Sequence, residues 1–244
     1  MRIALISDIH GNYWALHKVL KDIEIRKPDL IVNLGDSLYG PLKPMDTYNL
    51  IKSHDILSLS GNQDRAILEG LSKTPINKTI QYVIDELNDN AIDWLKTLPT
   101  TVLIEENICA FHGTPKSDTI YLLEDLHDGY RLVNEENKIE EHLIGIDSKI
   151  IFCGHSHTSR LIKIANRWII NPGSVGLQAY EDELPIYHKI ESFNNLAQYC
   201  LIDIEGNEFK TEQIYLQYDY DKAVKCAADN NRMDWANWIK YGKV

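Results

Sequence analysis

The chain has 244 residues, of which 44% are hydrophobic and 25% charged, and it has no long Gly, Ser or Pro tract. That is a globular composition, with room for one well-buried domain over 1–244 but not for two full ones. The formal net charge of −11 disfavours nonspecific binding to a nucleic-acid duplex and leaves carboxylates in surplus for cations.

The elements follow in order. Arg2 to Ser7 is a β-branched, apolar run that reads as a buried strand. Asn12 to Glu24 has helical spacing in Leu16, Val19, Leu20 and Ile23, and Pro28 follows its end. A strand at Leu30 to Leu34, a helix at Met45 to Ser53 and a strand at Ile56 to Ser60 continue the alternation, which predicts βαβ units with parallel pairing. Asp64 to Leu71, Lys78 to Asn90 and Ile92 to Leu98 are predicted helices. Thr101 to Glu105 and Ile108 to Phe111 read as a hairpin turning at Glu106-Asn107. Pro115 to Arg131 is a connection or a lid, with Asp118, Tyr121 and Tyr130 following His112 closely. Next come a helix at Glu135 to Ile146 and a strand at Lys149 to Cys153. A hairpin joins Arg160–Ile164 to Arg167–Ile170, and a second joins Leu196–Ile204 to Glu208–Tyr215 through 205–207. Asp221 to Tyr241 is predicted as one C-terminal helix, so that 205–244 adds a hairpin strand and a helix to the domain. The sum is an α/β (α+β) fold with a βαβ half, a mainly antiparallel half, two stacked sheets and helices outside.

Trp235, Trp238 and Ile239 share one face of the last helix, which is read as core or as a homodimer contact. Cys109, Cys153, Cys200 and Cys226 are scattered and form no C-x-x-C pair, as expected of buried thiols in a reducing compartment. The run Ile3 to Ile6 is too short for a secretory signal, and no apolar stretch is long enough to span a membrane. The expected location is the cytoplasm.

Five polar clusters stand directly after predicted strands: Asp8-Ile9-His10, Gly35-Asp36, Gly61-Asn62, His112-Gly113 and Gly154-His155-Ser156-His157. Each alone has an ordinary reading as a turn, a cap or a surface hydrogen bond. Strand ends along one sheet edge are neighbours in space, so the clusters can converge. Two carboxylates, an amide oxygen and four imidazoles would then suit a borderline divalent metal such as Mn, Fe, Zn, Co or Ni.

This ordered set resembles the calcineurin-like metallophosphoesterases. The opening Ile6-Ser7-Asp8-Ile9-His10-Gly11-Asn12 and the run Asn171-Pro172-Gly173-Ser174 resemble the family's small prokaryotic branch, and the likeness extends over residues 1 to 205. The resemblance implies a four-layer α-β-β-α sandwich with two mixed sheets and a metal site on loops at the strand ends. It implies that Asp8, His10 and His157 hold one metal, that Asn62, His112 and His155 hold another, and that Asp36 bridges the two. The expected activity is hydrolysis of a phosphodiester, a phosphomonoester or a nucleotide-like phosphoanhydride such as a dinucleoside polyphosphate, by metal-activated hydroxide. The expected partner is a small phosphorylated substrate.

One position departs from the pattern. Where the family commonly has Gly-Asn-His, this chain reads Gly61-Asn62-Gln63, followed by Asp64 and Arg65. An amide donates a hydrogen bond but cannot deliver a proton at neutral pH. Asp64 is then expected only to hold the Gln63 amide. Arg65 is read as a solvated helix residue, with a phosphate contact as the alternative. His127 and His188 are candidates to replace the missing acid, while His17, His54 and His142 are read as ordinary. Gln63 also admits a second reading, a catalytically weak scaffold or sensor that keeps the fold. A third, hydrolysis of another kind at one metal, is opposed by the bridging Asp36 and the doubled histidine supply.

Overall fold

The structure is a computed structural model and describes residues 1–73, 77–206 and 208–244. The tip expected at 205–207 therefore lies partly outside the described residues.

β1 (Arg2–Ile6) lies parallel to β2 (Leu30–Asn33), and β2 lies parallel to β3 (Ile56–Ser58). On the other side of β1, β13 (Ala197–Glu205) runs antiparallel, and β14 (Glu208–Leu216) closes that edge. The first sheet thus has the order β14-β13-β1-β2-β3. The second sheet is built from β4 (Thr101–Ile104), β5 (Ile108–Phe111), β8 (Ile150–Phe152), β10 (Arg167–Asn171) and β9 (Arg160–Ile164), joined in that order. Its three central strands are parallel and its two edges antiparallel.

Strand periodicity sets the layers. In β1, Ile3 and Leu5 point between the sheets, where they meet Val32, Ile202, Ile108 and Phe152. Ala4 and Ile6 point the other way, into a second core against helices. That outer layer includes α1 (Tyr13–Arg26), α2 (Pro44–Lys52), α3 (Asn62–Gly70), α4 (Lys78–Glu86) and α5 (Asp89–Thr97). Behind the second sheet, Phe111, Ile151 and Ile169 pack on Ile139 and Leu143 of the segment around α6 (Glu136–His142). The expected four-layer order is present, although its last layer rests on one short helix. No described helix is long and apolar enough to cross a membrane.

Three local readings need correction. The C-terminal helix is two helices, α7 (Tyr220–Asp229) and α8 (Met233–Tyr241). The chain turns at Asn231, whose φ of +58° is left-handed, a conformation asparagine tolerates at helix ends. The connection after His112 contains a hairpin of β6 (Glu124–His127) and β7 (Tyr130–Val133). A further hairpin, β11 (Ala179–Asp182) with β12 (His188–Glu191), forms where no element was expected. The Trp235, Trp238 and Ile239 stripe is buried within the chain and so offers no dimer face. All four cysteines are free; Cys109, Cys153 and Cys200 are buried as expected, whereas Cys226 is only partly buried.

Candidate metal centre

The five clusters converge. Each follows a strand from the parallel part of its sheet: β1, β2 and β3 in one, β5 and β8 in the other. Backbone bonds tie the loops together. Asp8 donates its N–H to Gly35 O at 3.0 Å, His10 to Asp36 O at 2.9 Å and Gly154 to His112 O at 2.7 Å. Gly35 sits at φ +113°, and a Cβ on Gly61 would fall 2.1 Å from Asp36 Oδ1, so both positions need glycine. The Asn-Pro-Gly-Ser run also has a physical role. Ser174 Oγ donates to Asp8 O, and Asn171 Nδ2 donates to Gly154 O, each at 2.8 Å.

Asp8, His10, Asp36, His112 and His157 are buried, whereas Asn62 and His155 are partly exposed. Two ligand trios form, Asp8-His10-His157 and Asp36-His112-His155, with the ligand atoms of each trio within 4.8 Å of one another. Asn62 joins the second trio through its Oδ1, 3.1 Å from His112 Nε2. Asp36 Oδ2 lies 3.4 Å from His112 Nε2, and Asp8 Oδ1 lies 3.4 Å from His157 Nε2. Five of the seven expected ligands, Asp8, His10, Asp36, His155 and His157, have left-handed φ between +50° and +67°. This conformation costs an L-residue about 1–2 kcal/mol and clusters at functional sites.

The donor set suits cations. His10, His112 and His157 each place Nδ1 on a backbone carbonyl, those of Tyr39, Leu34 and Leu177, at 3.1, 3.0 and 2.7 Å. A carbonyl only accepts, so Nδ1 carries the proton and Nε2 of a neutral ring presents a lone pair. His10 Nε2 and His157 Nε2 then face each other at 3.0 Å with two lone pairs, which a cation between them would reconcile. Both carboxylate oxygens of Asp8 are buried without a hydrogen-bond partner, a costly arrangement unless a positive charge compensates. Burial and the neighbouring His157 bring His10 down to about 4, and burial and His112 bring His155 down to about 3. Both rings are therefore uncharged near neutral pH, the form in which an imidazole can hold a cation. Burial opposes a charge on His112, but Asp36 and Asp8 outweigh it and raise that ring to about 9. Burial likewise opposes charge on Asp36, yet the surrounding histidines, His112 foremost, hold it below the usual carboxylate range.

Of the residues after Asn62, Asp64 departs from expectation, while Arg65 is the expected half-exposed helix residue. Gln63 lines the cavity, its backbone N–H donates to Asp36 Oδ1 at 2.8 Å, and its Oε1 is buried without a partner. Asp64 does not hold the Gln63 amide. Its carboxylate instead takes N–H bonds from Ser37 at 3.0 Å, Gly61 at 3.1 Å and Leu38 at 3.4 Å, clasping the Asp36 loop to the start of α3. Burial and then Asp36 push Asp64 up to about 7, while the Gly61 and Ser37 N–H groups favour its ionised form. Asp64→Ala is expected to destabilise the fold by about 3 kcal/mol or more, since it strands three N–H donors at about 1–3 kcal/mol each. Urea unfolding measures this, and an unchanged midpoint would show that the clasp is dispensable. The Arg65 guanidinium is committed to Asp118 at 2.7 Å and Glu69 at 2.7 Å and is absent from the cavity wall.

The other candidates sit around the site. Tyr121 stacks on His155 with centroids 4.3 Å apart, so the segment after His112 forms part of the cavity wall. Tyr121 OH contacts Tyr180 OH at 2.6 Å and His188 Nε2 at 3.0 Å, which places His188 behind the wall. His127 pairs with Asp125 and stacks on Tyr130, away from the cavity. The cavity has a volume of about 230 Å³. Its lining includes Tyr39, Tyr180, Arg232 and Trp238, which the strand-end pattern could not reveal.

Residues 1–192 match the profile of the calcineurin-like phosphoesterase superfamily domain. MJ0912 of Methanocaldococcus jannaschii, itself uncharacterized, is 29% identical over 259 residues, covering 96% of this chain and 94% of that one. Two solved structures share the fold over nearly the whole length. A metallophosphoesterase from Sphaerobacter thermophilus aligns with a TM-score of 0.75 at 21% identity, covering 99% of both chains. The hypothetical protein PH1004 from Pyrococcus horikoshii OT3 aligns with a TM-score of 0.74 at 19% identity, covering 99% of this chain and 98% of that one.

Proposed function

Because the chain belongs to the calcineurin-like phosphoesterase superfamily, we propose that it hydrolyses small phosphate esters or anhydrides with two divalent transition-metal ions. Asp8, His10 and His157 would hold one ion, Asn62, His112 and His155 the other, and Asp36 both. The observation that carries this reading is the orphaned Asp8 carboxylate beside the facing His10 and His157 nitrogens. Bound there, two dications would polarise the phosphoryl group and make water a nucleophile at neutral pH.

The chain's own residues do the rest. The backbone carbonyls of Tyr39, Leu34 and Leu177 fix three imidazoles with Nε2 directed inward. Gln63 Nε2 can donate a hydrogen bond to a phosphoryl oxygen but cannot protonate a leaving oxygen, so good leaving groups are favoured. The small cavity and the net charge of −11 favour a small, nucleotide-like substrate over a long polyanion. Gln63 also gives some support to a scaffold role, whereas the gathering of all seven ligand positions speaks for catalysis.

The direct test is reconstituted protein on bis(p-nitrophenyl) phosphate and a nucleotide panel. Turnover should vanish on chelation and return with metal. No turnover with both metals bound would favour the scaffold. His155→Ala and His157→Ala should each lose about one metal equivalent and retain the native circular-dichroism spectrum, because the ligands sit on loops above an apolar core. Global unfolding of either variant would make these histidines structural.

A further inference from the structure

The family profile ends at residue 192, yet the cavity wall is completed by Arg232, Trp235 and Trp238, all from the last helix and the turn that precedes it. Trp235 is 3% exposed and packs its ring 5.8 Å from His10, near-perpendicular, with Tyr39 6.1 Å away. The Arg232 guanidinium lies over the same indole at 5.5 Å. Trp235 thus fixes the distance between a ligand of the first metal trio and a cation on the cavity wall.

Among the described residues lining the cavity, Arg232 is the one lysine or arginine. Its position is set by more than the stacking. Nε donates to both Asp234 oxygens at 2.9 and 3.1 Å, Nη2 donates to Asp234 Oδ2 at 2.6 Å, and Nη1 donates to Thr79 Oγ1. These bonds use three of the five N–H groups of a guanidinium and leave two available. The side chain keeps a quarter of its surface accessible. A pinned guanidinium with spare donors is suited to an oxyanion, because little rotamer freedom is left to lose on binding. Two of the lining carboxylates are engaged in their own hairpin: Glu181 accepts from Tyr187 OH at 2.9 Å and Asp182 from Leu184 N at 3.0 Å.

We infer that Arg232 binds a second phosphoryl group of the substrate, next to the one held by the metal cluster. Resting on the phosphoesterase reading, this makes the preferred substrates phosphoanhydrides or bisphosphorylated compounds rather than simple monoesters. The selectivity is supplied by the start of the last helix, while the chemistry is supplied by the strand-end loops.

The test is calorimetric binding of adenosine 5′-monophosphate and adenosine 5′-diphosphate to metal-loaded protein, with metal content measured after each titration. The wild-type protein should bind the diphosphate at least about 10-fold more tightly, the scale of one charge-assisted phosphate contact. Arg232→Gln should bring that ratio close to one, and Arg232→Lys should retain part of it. If Arg232→Gln fails to fold, the Arg232→Lys ratio decides, since a lysine cannot reproduce the fork. Ratios that are equal in wild type and variants would overturn the inference. Because the readout is binding, failure of the phosphoesterase reading shows separately, as absent turnover of bis(p-nitrophenyl) phosphate by protein with an intact diphosphate preference.

Discussion

Asp36→Asn is expected to abolish turnover, by about 10³-fold or more, and to reduce metal content well below two equivalents. One Asp36 oxygen accepts the Gln63 N–H at 2.8 Å, and the other lies 3.4 Å from His112 Nε2, within the ligand cluster. An asparagine that keeps its oxygen on Gln63 must turn its NH₂ toward the cations. One that keeps its oxygen on the cations must set NH₂ against the Gln63 N–H. Either choice places a donor against a positive group. Elemental analysis and the bis(p-nitrophenyl) phosphate rate check this together, with circular dichroism as the control for folding. Normal metal content and normal turnover would remove Asp36 from its bridging role.

Gln63→His is expected to raise kcat/KM on alkyl phosphate esters by about 10-fold, with less gain on aryl esters. General acid assistance is worth typically about 10²–10⁴-fold where a ring is well placed. Here the gain should fall at or below the low end. The adjacent carboxylate, Asp64, is occupied by the N–H groups of Ser37, Leu38 and Gly61 and so is not free to orient the new ring. A plot of log kcat/KM against leaving-group pKa should be steeper for the native protein than for the variant, at unchanged metal content. Equal slopes would mean that another group already supplies the proton.

The candidate metal-holding clusters could be picked out in the sequence because each interrupts an apolar, β-branched run with glycine and a polar side chain. Arg2 to Ser7 followed by Asp8 and His10 is such a break, as is Lys149 to Cys153 followed by Gly154-His155. Their convergence then needed only parallel strands with a common end. The backbone at the site could not be read this way, because a left-handed φ at His10, His155 or His157 depends on the loop bonds around it. The hairpins 124–133 and 179–191 escaped because Glu124-Asp125 and Tyr180-Glu181-Asp182 lack the alternation of a half-buried strand. The split of the C-terminal helix did leave a trace, Asn230-Asn231, which the tryptophan spacing beyond it masked. Arg232 had no sequence signal as a site residue. It lies more than 200 positions from His10, and only the docking of α8 carries it to the cavity.

On the proposed reading, one cluster of seven side chains holds two metal ions. A crystal structure of reconstituted protein, with anomalous diffraction collected at the edge of the added metal, tests it most directly. The expected result is two peaks, one bound by Asp8, His10 and His157, the other by Asn62, His112 and His155, with Asp36 shared. A single peak, or metal bound outside these seven residues while Asp8 remains without a ligand, would contradict it.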